Sequence, residues 1–153
     1  MLRSLWLCSL LLVLGCGGGE EALGDPAKIN YSSALGVDLA VMERHESGLY
    51  LQDLKVGTGD EASLGRRVTV HYTGWLPDGT QFDSSRQEGR TAYSFTPGET
   101  RVIAGWHEGI PGMKVGGVRK LVIPSSLGYG ARGNGIIPPH SVLIFEVEVL
   151  SIP

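Results

Sequence analysis

Between Val68 and Ser85 the chain reads VTVHYTGWLPDGTQFDSS and sets a carboxylate, hydroxyls, an imidazole and a phenol close together. Asp83, Ser84 and Ser85, taken with some distant histidine, are the residue types of a hydrolytic triad. Neither serine sits in a Gly-x-Ser-x-Gly elbow, however, and no spacing marks a histidine as general base. The same stretch also reads as the wall of a pocket, in which Tyr72 and Phe82 supply apolar surface and Asp83 a polar anchor. Further along the chain, Tyr93, Trp106, Tyr129 and Phe145 enlarge the aromatic set without adding a reactive nucleophile. His45, His71, His107 and His140 lack metal-ligand spacing, so no metal is expected. Gly128-Tyr129-Gly130-Ala131-Arg132-Gly133 matches GxGxxG, but it runs into Asn134-Gly135 and Pro138-Pro139. A dinucleotide loop must open a helix, which this sequence cannot do.

Positioning these residues calls for strands and tight turns. Val68, Val70 and Tyr72 alternate with Thr69, His71 and Thr73, which predicts a half-buried strand over residues 67–75. Pro77-Asp78-Gly79 predicts the turn after it. Further strands are predicted over 48–56, 92–95, 118–123 and 142–152. Ile103 to Ile110 suits two helical turns, stopped by Pro111-Gly112. In the last strand Leu143, Phe145, Val147 and Val149 face one way, while Glu146 and Glu148 lie on the other face, as in a half-buried antiparallel strand. The expected fold is therefore α+β, an antiparallel sheet of about five strands wrapped over one short helix. Residues 29–47 mix strand and helix patterns and are expected to pack on the domain as an extended segment.

A chain of 153 residues with 42% hydrophobic content can form one modest domain. The net charge of −3 provides no electrostatic case for nucleic acid. The 23 glycines follow no collagen period and fit a turn-rich fold.

The N-terminus has targeting character. Arg3 precedes an apolar run, Ser4 to Leu14, that is shorter than the roughly 20 residues of a membrane span. Val13-Leu14-Gly15-Cys16 follows and resembles a bacterial lipobox, although Leu14 replaces the usual small residue. The expectation is a signal peptide over 1–15, lipidation of Cys16 and a flexible tether over 16–28. The N-terminal extension would follow over 29–47 and the domain over 48–153. Removing Cys8 leaves a single acylated cysteine, so no intramolecular disulfide is expected. Gly17 rather than Asp after the cysteine points to the outer membrane, facing the periplasm.

The blocks VHYTGWLPDGTQFDSS, VIAGWHEGI, GMKVGG, LVIPSSLGYG and IIPPHSVLIFEVEVL occur in that order. Together they resemble the FKBP-type peptidyl-prolyl cis-trans isomerases over essentially the whole domain, in the small bacterial lipoprotein form. The resemblance implies the same wrapped-sheet fold, no cofactor, proline-containing polypeptides as substrates and macrolide immunosuppressants as a further class of ligand. It places Trp106 under the proline ring, with Tyr72, Val102, Ile103, Ile136, Ile137 and Phe145 around it. The Ile103 N–H and the Tyr129 hydroxyl would anchor carbonyls of the bound peptide. Phe82, Tyr93 and Asp83 would line the rim. The segment Arg86 to Thr91 is slightly longer than in vertebrate members, which leaves the arginine that would brace Asp83 open, with Arg90 the nearest candidate and Arg86 the alternative. The loop from Arg132 to Gly135 is slightly shorter. The competing function class is a membrane-anchored chaperone or proline-peptide binding module with incidental turnover. A helical dimerisation stalk does not fit between Cys16 and Ser47, so a monomer is expected.

Overall fold

The structure is a computed structural model and describes residues 24–153. The expected signal peptide, Cys16 and the first part of the tether lie outside the described residues. Among the described residues, seven strands form one antiparallel sheet. They are β1 (Glu43–Arg44), β2 (Tyr50–Lys55), β3 (Val68–Trp75), β4 (Gln81–Ser84), β5 (Tyr93–Phe95), β6 (Val118–Ile123) and β7 (Leu143–Ser151). Their order is β1-β2-β6-β7-β3-β4, and β5 shares the outer edge of β3 with β4. Among the described residues one short α-helix, α1 (Ala104–Gly109), lies against the sheet.

The sheet thus exceeds the expected five strands by two, β1 and β4. Neither carries a run of alternating aliphatic residues. Both residues of β1 are exposed, and backbone pairing with β2 holds the strand. β4 is the sequence QFDS, paired to β3 through Thr73↔Ser84 and Gly74↔Asp83. Hydroxyls reinforce that pairing. Ser84 Oγ donates to the Tyr72 carbonyl at 3.0 Å, and Ser85 Oγ accepts from the Tyr72 N–H at 2.9 Å.

β7 lies between β6 and β3 and is apolar on both faces over its first half. Its Leu143, Phe145, Val147 and Val149 join Val68, Val70, Leu121, Ile123, Trp106 and Ile110 in the main core beneath α1. The helix sequence AGWHEG has two glycines and little intrinsic helix preference. Close packing accounts for both glycines. A Cβ on Gly105 would stand 2.6 Å from Ile123 Cγ2, and one on Gly109 would stand 2.8 Å from Leu121 Cδ2. The helix backbone therefore rests directly on β6. Arg119 of β6 holds the helix end. It donates to the Gly109 carbonyl at 2.9 Å while its guanidinium grips both carboxylate oxygens of Asp53 at 2.7 and 3.0 Å.

The opposite face of the sheet is covered by the N-terminal segment. Leu35 and Met42 pack with Tyr50, Val122, Val142 and Ile144, joined by Ile29, Tyr31, Val37, Leu39 and Trp75. The segment is mostly extended and is broken by 3-10 turns at Pro26–Lys28, Ser33–Leu35 and Leu39–Val41. Asp25 and Asp38 start two of these turns by accepting backbone N–H groups two residues on. Buried Lys120 donates to the carbonyls of Leu35 and Gly36 and pairs with Glu146 at 3.4 Å. Residues 24–28, assigned from sequence to a flexible tether, are seated on the domain. Pro26 is buried, and the Ser125 N–H donates to the Gly24 carbonyl at 3.1 Å.

Candidate functional site

A cleft of about 260 Å³ opens where α1, β3, β4 and the loops around them meet. Trp106 forms its floor. Because Gly105 seats the helix on β6, the indole next to it is driven into the core and is 4% exposed. Tyr72 comes from the inward face of β3, with its ring centroid 5.1 Å from the indole at 79°. Phe145 comes from β7, 5.4 Å from the indole and also at 79°. Phe82 from β4 stands 5.4 Å from Phe145 at 85°. Nearly perpendicular rings at these separations are favoured by the aromatic quadrupole. Gly74 makes room for them, since a Cβ there would lie 2.6 Å from Phe82 and 2.7 Å from Phe145. The indole Nε1–H is buried and has no conventional acceptor among the described residues. The surrounding rings are its available neighbours.

The polar side of the cleft centres on Asp83. Its Oδ2 accepts from the Tyr72 hydroxyl at 2.5 Å, and its Oδ1 accepts from Arg90 at 2.8 Å and from the Ser84 N–H at 2.9 Å. Arg90 also reaches the Tyr72 hydroxyl at 3.4 Å. Arg86 instead pairs with Glu148, so the arginine that braces Asp83 is Arg90. Burial, and then the bond to Asp83, push the Tyr72 phenol up to about 12. Tyr72 is therefore a neutral donor at any physiological pH. With both its oxygens engaged, Asp83 is arranged to orient groups rather than to shuttle a proton.

The remaining sequence candidates divide between two adjoining cavities. Tyr93, Val102, Ile103 and Tyr129 line the main cleft. Ile136 and Ile137 line a neighbouring cavity, also about 260 Å³, that shares Phe82, Asp83 and Tyr129 with it. Ile137 is buried, whereas Ile136 is 65% exposed and stands at the outer edge. No backbone carbonyl among the described residues accepts the Ile103 N–H, so it is free to bond a peptide. The Tyr129 hydroxyl is likewise unengaged among them.

Two constellations read from the sequence carry no chemistry here. His71 Nδ1 lies 3.0 Å from Ser85 Oγ, but Ser85 is only 2% exposed and its hydroxyl is tied to the Tyr72 backbone. No substrate reaches it. The GxGxxG stretch forms a 3-10 turn, Gly130–Arg132, and opens no α-helix.

Two residues take roles that the sequence did not assign to them. Arg101 lines the cleft. His107 accepts the Gly98 N–H on Nδ1 at 2.8 Å, tying the loop that leads to Val102 and Ile103 onto α1. Both sit in or against an irregular loop, where no period marks a direction for side chains.

This fold and site have counterparts among known proteins. The family model for FKBP-type peptidyl-prolyl cis-trans isomerases matches residues 59–150. The chain belongs to that family. It is 57% identical to the FK506-binding protein of Neisseria meningitidis serogroup B over 106 residues, covering 69% of this chain and 96% of that protein. It is 44% identical to the peptidyl-prolyl cis-trans isomerase Fkbp12 of Drosophila melanogaster over 106 residues, 67% of this chain and 97% of that one. Among solved structures it is similar to FkpA from Escherichia coli, with a TM-score of 0.67. That match has 40% identity and covers 72% of this chain and 51% of that chain.

Proposed function

We propose that the chain catalyses rotation about X-Pro bonds of polypeptides in the cleft over Trp106. A prolyl amide turns over a barrier of about 18–20 kcal/mol because rotation breaks C–N resonance. The planar amide carries more charge on its carbonyl oxygen than the twisted one. An apolar, aromatic enclosure therefore favours the twisted state over the planar state. A 10⁶-fold acceleration needs about 8 kcal/mol of such differential stabilisation. Trp106 supports the proline ring, and Tyr72 and Phe145 close its sides. The Ile103 N–H and Tyr129 hydroxyl hold the peptide backbone, and Phe82, Tyr93 and the braced Asp83 border the space through which the carbonyl swings.

The observation that carries this reading is the perpendicular packing of Tyr72 and Phe145 on Trp106, beside a carboxylate already occupied by a phenol and a guanidinium. An aromatic-walled slot suits the compact, apolar pyrrolidine ring and needs no proton transfer. The test is exchange NMR on a short proline peptide. Turnover that raises the cis-trans exchange rate at micromolar enzyme is expected, and an unchanged rate would rule the reading out.

The finer reading is that of a monomeric isomerase held on a membrane in the cell envelope, facing the periplasm and acting on exported proteins. It rests on the apolar run Ser4 to Leu14 and on Cys16 after Gly15. Acyl chains on Cys16 would anchor the chain at roughly 0.8 kcal/mol per buried methylene. Palmitate labelling that disappears in Cys16→Ser, with membrane fractionation, tests this. The relative named for FK506 binding supports macrolides as ligands of the same cleft. Inhibition of exchange by FK506 would bear on that directly.

A further inference from the structure

The charges around the cleft do not balance. Asp83 is matched by Arg90 at 2.8 Å. The adjoining cavity adds Asn134, Gly135, Ile136 and Ile137, none of them charged. Arg101 also lines the cleft, is exposed, and has neither a hydrogen bond nor an ion pair among the described residues. The nearest acid in sequence, Glu99, does not neutralise it. The Glu99 carboxylate lies toward Gly65, with Oε1 3.9 Å from where a Cβ on that glycine would be. A guanidinium without a partner therefore faces an otherwise neutral, aromatic slot.

The backbone under Arg101 is firmly placed. The Thr96 carbonyl accepts from the Glu99 and Thr100 N–H groups at 3.1 and 3.0 Å. Thr100 Oγ1 accepts from the Thr96 N–H at 2.8 Å, His107 holds Gly98, and the Val102 N–H donates to the Thr100 carbonyl at 2.9 Å. Arg101 is thus a long, movable cation on a fixed base, two residues before the free N–H of Ile103.

We propose that Arg101 makes this isomerase prefer polypeptides with an aspartate or glutamate near the proline, on the flank whose carbonyl bonds the Ile103 N–H. The proposal rests on the isomerase reading of the cleft. A guanidinium pairs with a carboxylate through two parallel N–H donors, a geometry that lysine or glutamine on the substrate cannot use. The pair forms in the bound planar and twisted states alike, so the preference appears in KM rather than kcat.

The test uses proline peptides that carry Glu, Gln or Lys at one flanking position at a time. Cis-trans exchange is followed by NMR, which needs no coupling protease. At low salt the flank whose carbonyl bonds the Ile103 N–H should favour Glu over Lys by roughly twofold to fivefold, the scale of an exposed ion pair. The ratio should shrink in 1 M salt, where the screening length falls to about 3 Å. Arg101→Gln should bring the ratio near one, and Arg101→Glu should invert it. Equal turnover of Glu and Lys peptides at every position, or a ratio unchanged in Arg101→Gln, would overturn the proposal and leave the isomerase reading standing. Absence of turnover with the Gln peptides as well would overturn both.

Discussion

Asp83 illustrates how a carboxylate at the centre of a site can act without exchanging a proton. Its oxygens are filled by the Tyr72 hydroxyl, Arg90 and the Ser84 N–H, so its role is to fix the phenol and the rim of the cleft. Tyr72→Phe should lower kcat/KM by about tenfold or more, the scale of one hydrogen bond to a charged group. Fluorescence-detected unfolding should show the fold intact. Burial of the same phenol, and then its bond to Asp83, set an alkaline limit. The Tyr72 phenol titrates near 12 in the fold against an ordinary 10.0, so its neutral form stabilises the protein fully below pH 10.0. That contribution is lost as pH rises through 12. Urea titrations between pH 9 and 12 should show stability falling over this window, and Tyr72→Phe should show less of the fall.

The elements that aim these residues depend on close backbone contact. Gly105→Ala would push a methyl into Ile123 and lift α1 together with Trp106. The expected cost is about 1–3 kcal/mol in chemical denaturation, with a matching loss of isomerase activity. Arg119→Met leaves Asp53 and the Gly109 carbonyl without their cation. Removing one partner of such a half-buried pair should cost about 3 kcal/mol in the same measurement. His107→Ala should loosen the loop to Ile103 and raise KM, whereas His107→Asn, which keeps an acceptor near Nδ1, should restore it. The strands with alternating aliphatic residues, β3 and β7 above all, were readable from sequence because their period of two follows from burial of one face. β4 was not, because QFDS is held by hydroxyls and register rather than by apolar alternation. The aromatic members of the cleft were legible through the family resemblance. Arg101 and the choice of Arg90 over Arg86 were not, since irregular loops fix side-chain direction only through tertiary contacts.

At the scale of the molecule, the sheet works on two faces. One carries α1 and the cleft, and the other carries the segment from Gly24 to Met42. Deleting residues 24–42 would uncover Val122 and Ile144 and strip Lys120 of its carbonyl partners. Lower thermal stability is expected, with activity per folded molecule retained because the cleft lies across the sheet; calorimetry and exchange NMR together would check both. The seat of that segment also has a consequence for timing. Beyond Tyr50 on β2 and Trp75 on β3, its contacts are to Val122 on β6, to Val142 just before β7 and to Ile144 in β7, the last strand of the chain. A chain synthesised or exported N-terminus first therefore displays this stretch long before its landing place exists. β3 waits likewise for its partner β7. Such distant pairings are slow to form. Residues 24–42 are thus the first of the described residues to be made and among the last to be put away, and any enzyme that modifies or cleaves the chain near its N-terminus can act before the fold closes over them.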